Sequence, residues 1–375
     1  MEASSTVGAP AGLQPDERTD EHPFIASPVA CPTAIEEGQL MQTISIEARP
    51  GDFGALAAQV REAGLLRRRS AYYQLKIVAT LAVFAAGWAA LLVVGNSWDT
   101  LAVAALLGVM FTQLGFVGHD AGHRQVFGSR RANRWLGLAV GNALIGVSFG
   151  WWVAKHNAHH AHPNQVDCDP DLAYGQVAAG AAGEQARSGG GREAWLFFPL
   201  MLLRSTGLRV LGAQWLLRRR DRSAVTEALL IVVHTGLYLT AVFWVLSPLK
   251  AVAFIAVQQA VFSVYLGCSF APNHKGMPII GTDSEMSFAE LQVITARNVT
   301  GGWFTSLMLG GLNYQIEHHL FPTMPRPNLA RAQSLIRDFC VDSDLGYAET
   351  SLVDSYRRAV NALRGPPLSS PLAPA

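Results

Sequence analysis

The sequence predicts an all-α integral membrane protein, with four transmembrane helices in two hairpins and a cytosolic helical cap that carries three histidine-rich strings. Three observations lead there. Half of the 375 residues are hydrophobic and only 15% are charged, against roughly 25% in a typical soluble domain. The apolar residues concentrate in four runs of about 20 residues, each long enough to cross a ~30 Å hydrocarbon core as a helix. Seven of the eleven histidines fall in three short strings close to the ends of apolar segments or beyond them.

Residues 1–47 are rich in Pro, Ala, Ser, Thr and acidic side chains. They lack the basic segment and apolar core of a signal peptide and read as a disordered tail. Residues 48–345 read as the membrane domain with its cap. The first apolar run, 75–94, is interrupted only by Lys76, and residues 96–100 separate it from the second, 101–118. So short a link returns the chain to the side it came from. The design repeats at 224–246 and 251–270, with Pro248 in the turn where a missing N–H costs nothing. Residues 346–375 read as a C-terminal helix and a Pro-rich tail.

Arginine sets the orientation. Arg67, Arg68 and Arg69 precede the first span. Arg130, Arg131 and Arg134 follow the second, and Arg218, Arg219, Arg220 and Arg222 precede the third, whereas the hairpin loops hold only Lys250. The positive-inside bias makes the basic side cytoplasmic, and with it both termini and every histidine string. Two more apolar stretches, 135–152 with its four glycines and 195–217 with Pro199, Arg204 and Arg209, are expected to be interfacial or partly re-entrant. Between them, 173–191 is a Gly/Ala-rich loop. A net charge of +1 gives no global attraction to nucleic acid. Cys31, Cys168, Cys268 and Cys340 are far apart and form no C-x-x-C pair. That spacing argues against a disulfide framework or a cysteine zinc site, and a reducing compartment fits.

The first string is His119-Asp120-Ala121-Gly122-His123. Residues i and i+4 share one face of a helix, so two imidazoles can meet one metal or two neighbouring ones. The second, His156-Asn157-Ala158-His159-His160, places three imidazoles on overlapping faces. The third is Gln315-Ile316-Glu317-His318-His319. Taken singly, each could be a solvated polar face. Together they converge on one side of the membrane, and seven imidazoles are too many for one tetrahedral zinc. They suit two five- or six-coordinate metals. His274, just past the fourth run, is a candidate eighth ligand. His162, two residues beyond the second string and followed by Pro163, reads as support for a ligand or as a surface residue. His234 lies mid-span, where it either lines a channel or bonds a neighbouring helix. His22 lies in the tail and is discounted. A metal-bound imidazole usually donates its other N–H to a carboxylate or carbonyl. Asp120, Asp167, Asp169, Asp171 and Glu317 are candidates for that work.

In combination the strings resemble the three histidine boxes of the membrane fatty acid desaturase superfamily, over about residues 75–329. Pro163-Asn164, Asp169-Pro170-Asp171 and Leu320-Phe321-Pro322 extend the likeness. Gln315 at the head of the third string resembles the branch of front-end and related bacterial acyl-lipid or acyl-CoA desaturases. The resemblance implies a di-iron centre, O₂ as co-substrate and removal of two hydrogens from an acyl chain. The implied iron ligands are His119, His123, His156, His159, His160, His318 and His319, with His274 as the histidine that follows the fourth span. Gln315 would be a weak or water-mediated ligand, or none. Many eukaryotic relatives carry a fused cytochrome b5 with an H-P-G-G haem motif. Here only Glu21-His22-Pro23-Phe24 is present, so the resemblance implies a separate donor such as a ferredoxin, a flavodoxin, or cytochrome b5 with its reductase. The substrate would be an acyl-CoA or a membrane lipid. Acyl or alkyl hydroxylases and carotenoid oxygenases share such boxes. A metal transporter or sensor is an alternative from another class, although transporters place ligands within the spans, which here are nearly free of them.

Overall fold

A computed structural model describes residues 52–172, 199 and 201–362. The tails, Cys31, His22 and the Gly/Ala-rich loop therefore lie outside the described residues. The helices are α1 (Phe53–Glu62), α2 (Ser70–Val94), α3 (Thr100–Gly122), α4 (Arg130–Gly137), α5 (Phe149–Ala161), α6 (Arg204–Leu217), α7 (Arg222–Val245) and α8 (Pro248–His274). Then follow α9 (Phe288–Ile294), β1 (Asn298–Thr300), α10 (Trp303–Met308), α11 (Gln315–Leu320), α12 (Arg326–Asp342), β2 (Glu349–Ser351) and α13 (Leu352–Ala362).

Four helices are long and apolar enough to cross a membrane: α2, α3, α7 and α8. Their apolar stretches continue past the ends read from the sequence. The second run goes on to Gly122 and the fourth to His274, because a helix continues as long as its backbone bonds close, whatever the polarity of its side chains. His119 and His274 therefore sit on the last turns of the spans themselves. Two-thirds of the apolar window of α3 is buried inside the protein, against 6% for α7. Helix α3 is thus the central post, and it packs most extensively on α8. Gly108 permits this approach, since a Cβ there would lie 2.7 Å from the Gln258 carbonyl oxygen. Helix α7 packs mainly on the π-helical turn that follows α4 rather than on α8.

The stretch 135–152 is not one straight helix. Helix α4 runs into a π-helical turn, Leu138–Leu144, breaks, and resumes as α5 at a bend of 115°. Gly146 makes the break possible: its φ is +68°, and a Cβ would lie 2.5 Å from the His234 ring. A break among apolar helices must satisfy its freed backbone groups internally. Side chains from other helices do so here. His234 Nδ1–H donates to the Ala143 carbonyl at 3.1 Å, and Arg209 Nη2–H to the Ile145 carbonyl at 3.0 Å. Of the two roles open to His234 in the sequence, the hydrogen bond to a neighbouring segment is the one observed.

Two apolar clusters result. One surrounds α3, with Leu107, Phe111, Val242, Phe254 and Phe262. The other joins α1, α9, α11 and α12 through Leu56, Val60, Val293, Ile316, Met324 and Ile336. The all-helical expectation needs one amendment: β1 and β2 pair in parallel, Val299 opposite Thr350. Cys268 and Cys340 are free thiols.

Candidate metal centre

The three histidine strings are spread along the chain from residue 119 to residue 319, yet their side chains meet in one buried cluster. Helix α3 brings His119 on its last turn, with His123 as its C-cap. Helix α5 brings His156, His159 and His160, α8 brings His274, and α11 brings Gln315, His318 and His319. The cluster divides in two. The ligand-type nitrogens of His119, His123, His156 and His318 lie within 4.8 Å of one another, and so do those of His159, His274 and His319. His160 stands between the groups, its ring centroid 4.7 Å from that of His123 and 4.2 Å from that of His319.

The arrangement fits metal ions and little else. The Nε2 atoms of His119, His123, His318 and His319 are buried and have no hydrogen-bond partner, as is Nδ1 of His160. Buried polar atoms are normally paired, and leaving one unpaired costs about 1–3 kcal/mol. His156 Nε2 and His160 Nε2 approach to 3.1 Å, and those of His159 and His274 to 3.4 Å. Converging lone pairs of this kind are what a shared cation relieves. An all-imidazole donor set suits a first-row transition metal such as iron.

Each group is aimed from behind. His159 Nδ1–H donates to both carboxylate oxygens of Asp169 at 3.0 Å. His274 Nδ1–H donates to the Thr295 carbonyl at 2.9 Å, and His319 Nδ1–H to Gln292 Oε1 at 2.8 Å. His119 Nδ1 lies 3.3 Å from Asp120 Oδ1. Each contact fixes the tautomer that turns Nε2 inward. The Trp152 ring stacks on His156 with centroids 4.6 Å apart and closes that side of the cluster.

The other sequence candidates have distinct places. Asp171 lies 3.7 Å from His159 Nδ1 and forms an ion pair with Lys155. Coulombic attraction from Lys155, His159 and Arg204 outweighs its burial and holds the carboxyl well below the usual range. Asp167 is exposed with φ +61°, and it is Asp169, two residues on, that reaches histidine. Asp169 also accepts the Asn164 and Asp171 amides. Glu317 takes the Asn298 amide at 2.8 Å and the Tyr347 hydroxyl at 2.6 Å, so it braces α11 from the cap, and burial pushes its carboxyl up. Gln315 brings Nε2 to 2.9 Å from His274 Nε2, while its Oε1 accepts from Asn273. His162 caps α5 and bonds Gln165. Gln292, Thr295, Asn298 and Arg326 were not expected. The one signal for them in the sequence is a polar residue within a short apolar stretch.

Two predictions arise here. Asp169→Asn keeps one acceptor but loses the charge and the two-oxygen contact to His159. Removal of such a partner typically costs 10–100-fold in metal affinity, so ferrous iron loaded into the variant should pass to a chelator about that much faster, measured by chelator absorbance. The second concerns pH. Burial first, and neighbouring cationic charge second, push His123, His318 and His319 well below the ordinary value of 6.5. The unfolded chain therefore takes up protons at a higher pH than the folded one. The stability these groups contribute is complete above about pH 6.5 and is lost as pH falls below it. Thermal midpoints of the metal-free protein should be flat from pH 8 to 7 and decline from 6.5 to 5.

Comparison with known proteins agrees with this site. A fatty acid desaturase family profile matches residues 96–351, which include all eight clustered histidines. An acyl-lipid (9-3)-desaturase of Physcomitrium patens is 30% identical over 331 residues, covering 84% of this chain and 62% of that protein. A Delta(6)-fatty-acid desaturase of Caenorhabditis elegans is 29% identical, over 83% of this chain and 74% of the relative. A Delta(5) fatty acid desaturase of the same nematode is 31% identical, over 81% and 70%. With four apolar helices, a buried histidine cluster and a profile match across all of it, the chain belongs to the fatty acid desaturase family.

Proposed function

We propose that the protein is an O₂-dependent di-iron desaturase that introduces a cis double bond into an acyl-CoA or acyl-lipid chain within the membrane. The observation that carries this reading is the pair of buried imidazole groups with unpartnered nitrogens turned inward. His119, His123, His156 and His318 would hold one iron, and His159, His274 and His319 the other, with His160 between them and Gln315 beside His274. When bound, the irons would supply the O₂-dependent removal of hydrogen from unactivated methylenes, which no side-chain acid or base can accomplish.

The chain's own residues bind and orient. Asp169, Thr295 and Gln292 hold three of the rings in one tautomer. Trp152 and the apolar ends of α3, α5 and α8 exclude water and guide an acyl chain past the cluster. The spans form two hairpins, α2–α3 and α7–α8. The arginines at residues 67–69, 130–134 and 218–222 put the histidine-bearing cap and both termini in the cytoplasm. Electrons come from an external donor: a ferredoxin, a flavodoxin, or cytochrome b5 with its reductase.

Transport is disfavoured because His234, the histidine in the middle of a span, bonds the Ala143 carbonyl of the bend rather than a ligand group. Expression with defined fatty acids, followed by mass spectrometry of the lipids, tests the reading. A new double bond is expected. A hydroxylated chain would move the assignment to the hydroxylases, and unaltered chains in the presence of a competent donor would count against both.

A further inference from the structure

Glu227 touches none of the clustered histidines, yet it is a carboxylate on a membrane-spanning helix with 1% of its surface exposed. It is the one acidic residue of α7. Its Oε2 accepts hydrogen bonds from the Ser148 hydroxyl at 2.8 Å, the Gly150 amide at 3.0 Å and the Asn142 side-chain amide at 3.3 Å. These donors belong to both arms of the 115° bend. Asn142 lies in the π-helical turn, and Ser148 and Gly150 open α5. Ser148 is itself the N-cap, its oxygen accepting the Trp151 amide at 3.2 Å. A carboxylate is favoured at this point by the unpaired amides of a helix start and by the helix dipole. The fit is close, since a Cβ at Gly150 would lie 2.4 Å from Glu227 Oε1.

The far end of α5 carries His156, His159 and His160, about 9–15 Å along the helix axis from Gly150. His156 belongs to the first imidazole group and His159 to the second, so an error in the direction of α5 displaces ligands of both. Arg209 and His234 also hold the bend, but by its carbonyls. Within the bend Asn142 Oδ1 accepts the Phe149 amide at 3.1 Å, and Glu227 adds a tie to both arms from α7. We propose that Glu227 is a positioning residue of the metal centre: by tying Asn142, Ser148 and Gly150 to α7 it fixes the bend and thereby the aim of the second histidine string. All three donors meet Oε2, so a glutamine can set its one oxygen there and keep those bonds without the charge, whereas alanine removes them.

The inference rests on the di-iron reading, and its test separates the two. The full chain is purified in detergent without metal and loaded anaerobically with ferrous iron. Iron per chain and the rate of iron release to a chelator are then read at a temperature where circular dichroism finds every variant folded. E227A should release iron about 10–100-fold faster than wild type, the range expected when support for ligands is lost, and E227Q, which keeps one acceptor oxygen, should release it more slowly than E227A. G150A, which crowds the carboxylate without removing it, should speed release as E227A does. The double variant G150A/E227A should release no faster than E227A, because the contact is already absent. Wild-type release rates in E227A, or additive effects of G150A and E227A, would overturn the proposal. A wild type that takes up no iron would sink the di-iron reading and this inference together, a result distinct from a loaded wild type beside unaffected variants.

Discussion

On the proposed di-iron reading, His159→Ala is expected to abolish desaturation and to lower the iron content from about two per chain to about one. His159 is the hinge of the second imidazole group. Its Nε2 lies 3.4 Å from that of His274, and its Nδ1–H is held by both oxygens of Asp169. Alanine removes the nitrogen and leaves Asp169, 2% exposed, with a vacant acceptor face beside the remaining histidines. The loss should exceed the 10–100-fold that removal of an outer partner costs. His119, His123, His156 and His318 keep their own contacts, so iron retained by the variant should reside there. Metal analysis by mass spectrometry of anaerobically prepared protein checks this. Two irons in His159→Ala would show that the ring is not a ligand.

Arg326→Met is expected to destabilise the protein by about 3–5 kcal/mol, the usual cost of breaking a buried ion pair by removing one partner. Arg326 is 7% exposed. Its Nη2 donates to the Asp120 carboxylate at 2.7 Å and to the Phe116 carbonyl at 3.1 Å. Its backbone N–H donates to the Tyr73 hydroxyl at 3.2 Å. With methionine in its place, Asp120 would stand as an uncompensated charge, 2% exposed, next to His119. The double variant Asp120→Asn/Arg326→Met should recover much of the stability, because no buried charge is left alone. The thermal midpoint in detergent reads both. A single variant as stable as wild type, or a double variant worse than the single, would refute the account. Gly311 belongs to the same device: a Cβ there would lie 2.3 Å from Arg326 Cγ.

What could be read from the sequence has a pattern. The four apolar helices and the three histidine strings depend on near neighbours in the chain. Run length reports a span, and i, i+3, i+4 spacing reports a shared face. Helices α3 and α8 run on about four residues past the apolar runs that end at 118 and 270, since an apolar count stops at the first polar side chain while the helix continues. The bend within 135–152 left a glycine signal at Gly146, but its angle depends on Glu227, His234 and Arg209, which lie 60 residues or more downstream. Asp169 and Asp167 could not be separated by spacing. Only the turn held by Asn164, whose amide donates to Asp169, puts Asp169 behind His159. The short pairing of β1 with β2 left no signal that three-residue strands could carry.

The sequence by itself therefore determined a helical membrane protein, the residue types of a histidine-rich metal site and its likeness to the desaturases. These follow from composition and local periodicity. The tertiary structure decided that the histidines form two groups with His160 between them, that His274 stands with His159 and His319, and that Gln292, Thr295, Asp169 and Asp120 stand behind the rings. The physical reason is that such contacts join residues far apart in the chain. Their geometry is set by the packing of α3, α5, α8 and α11 against one another, and no local pattern encodes it.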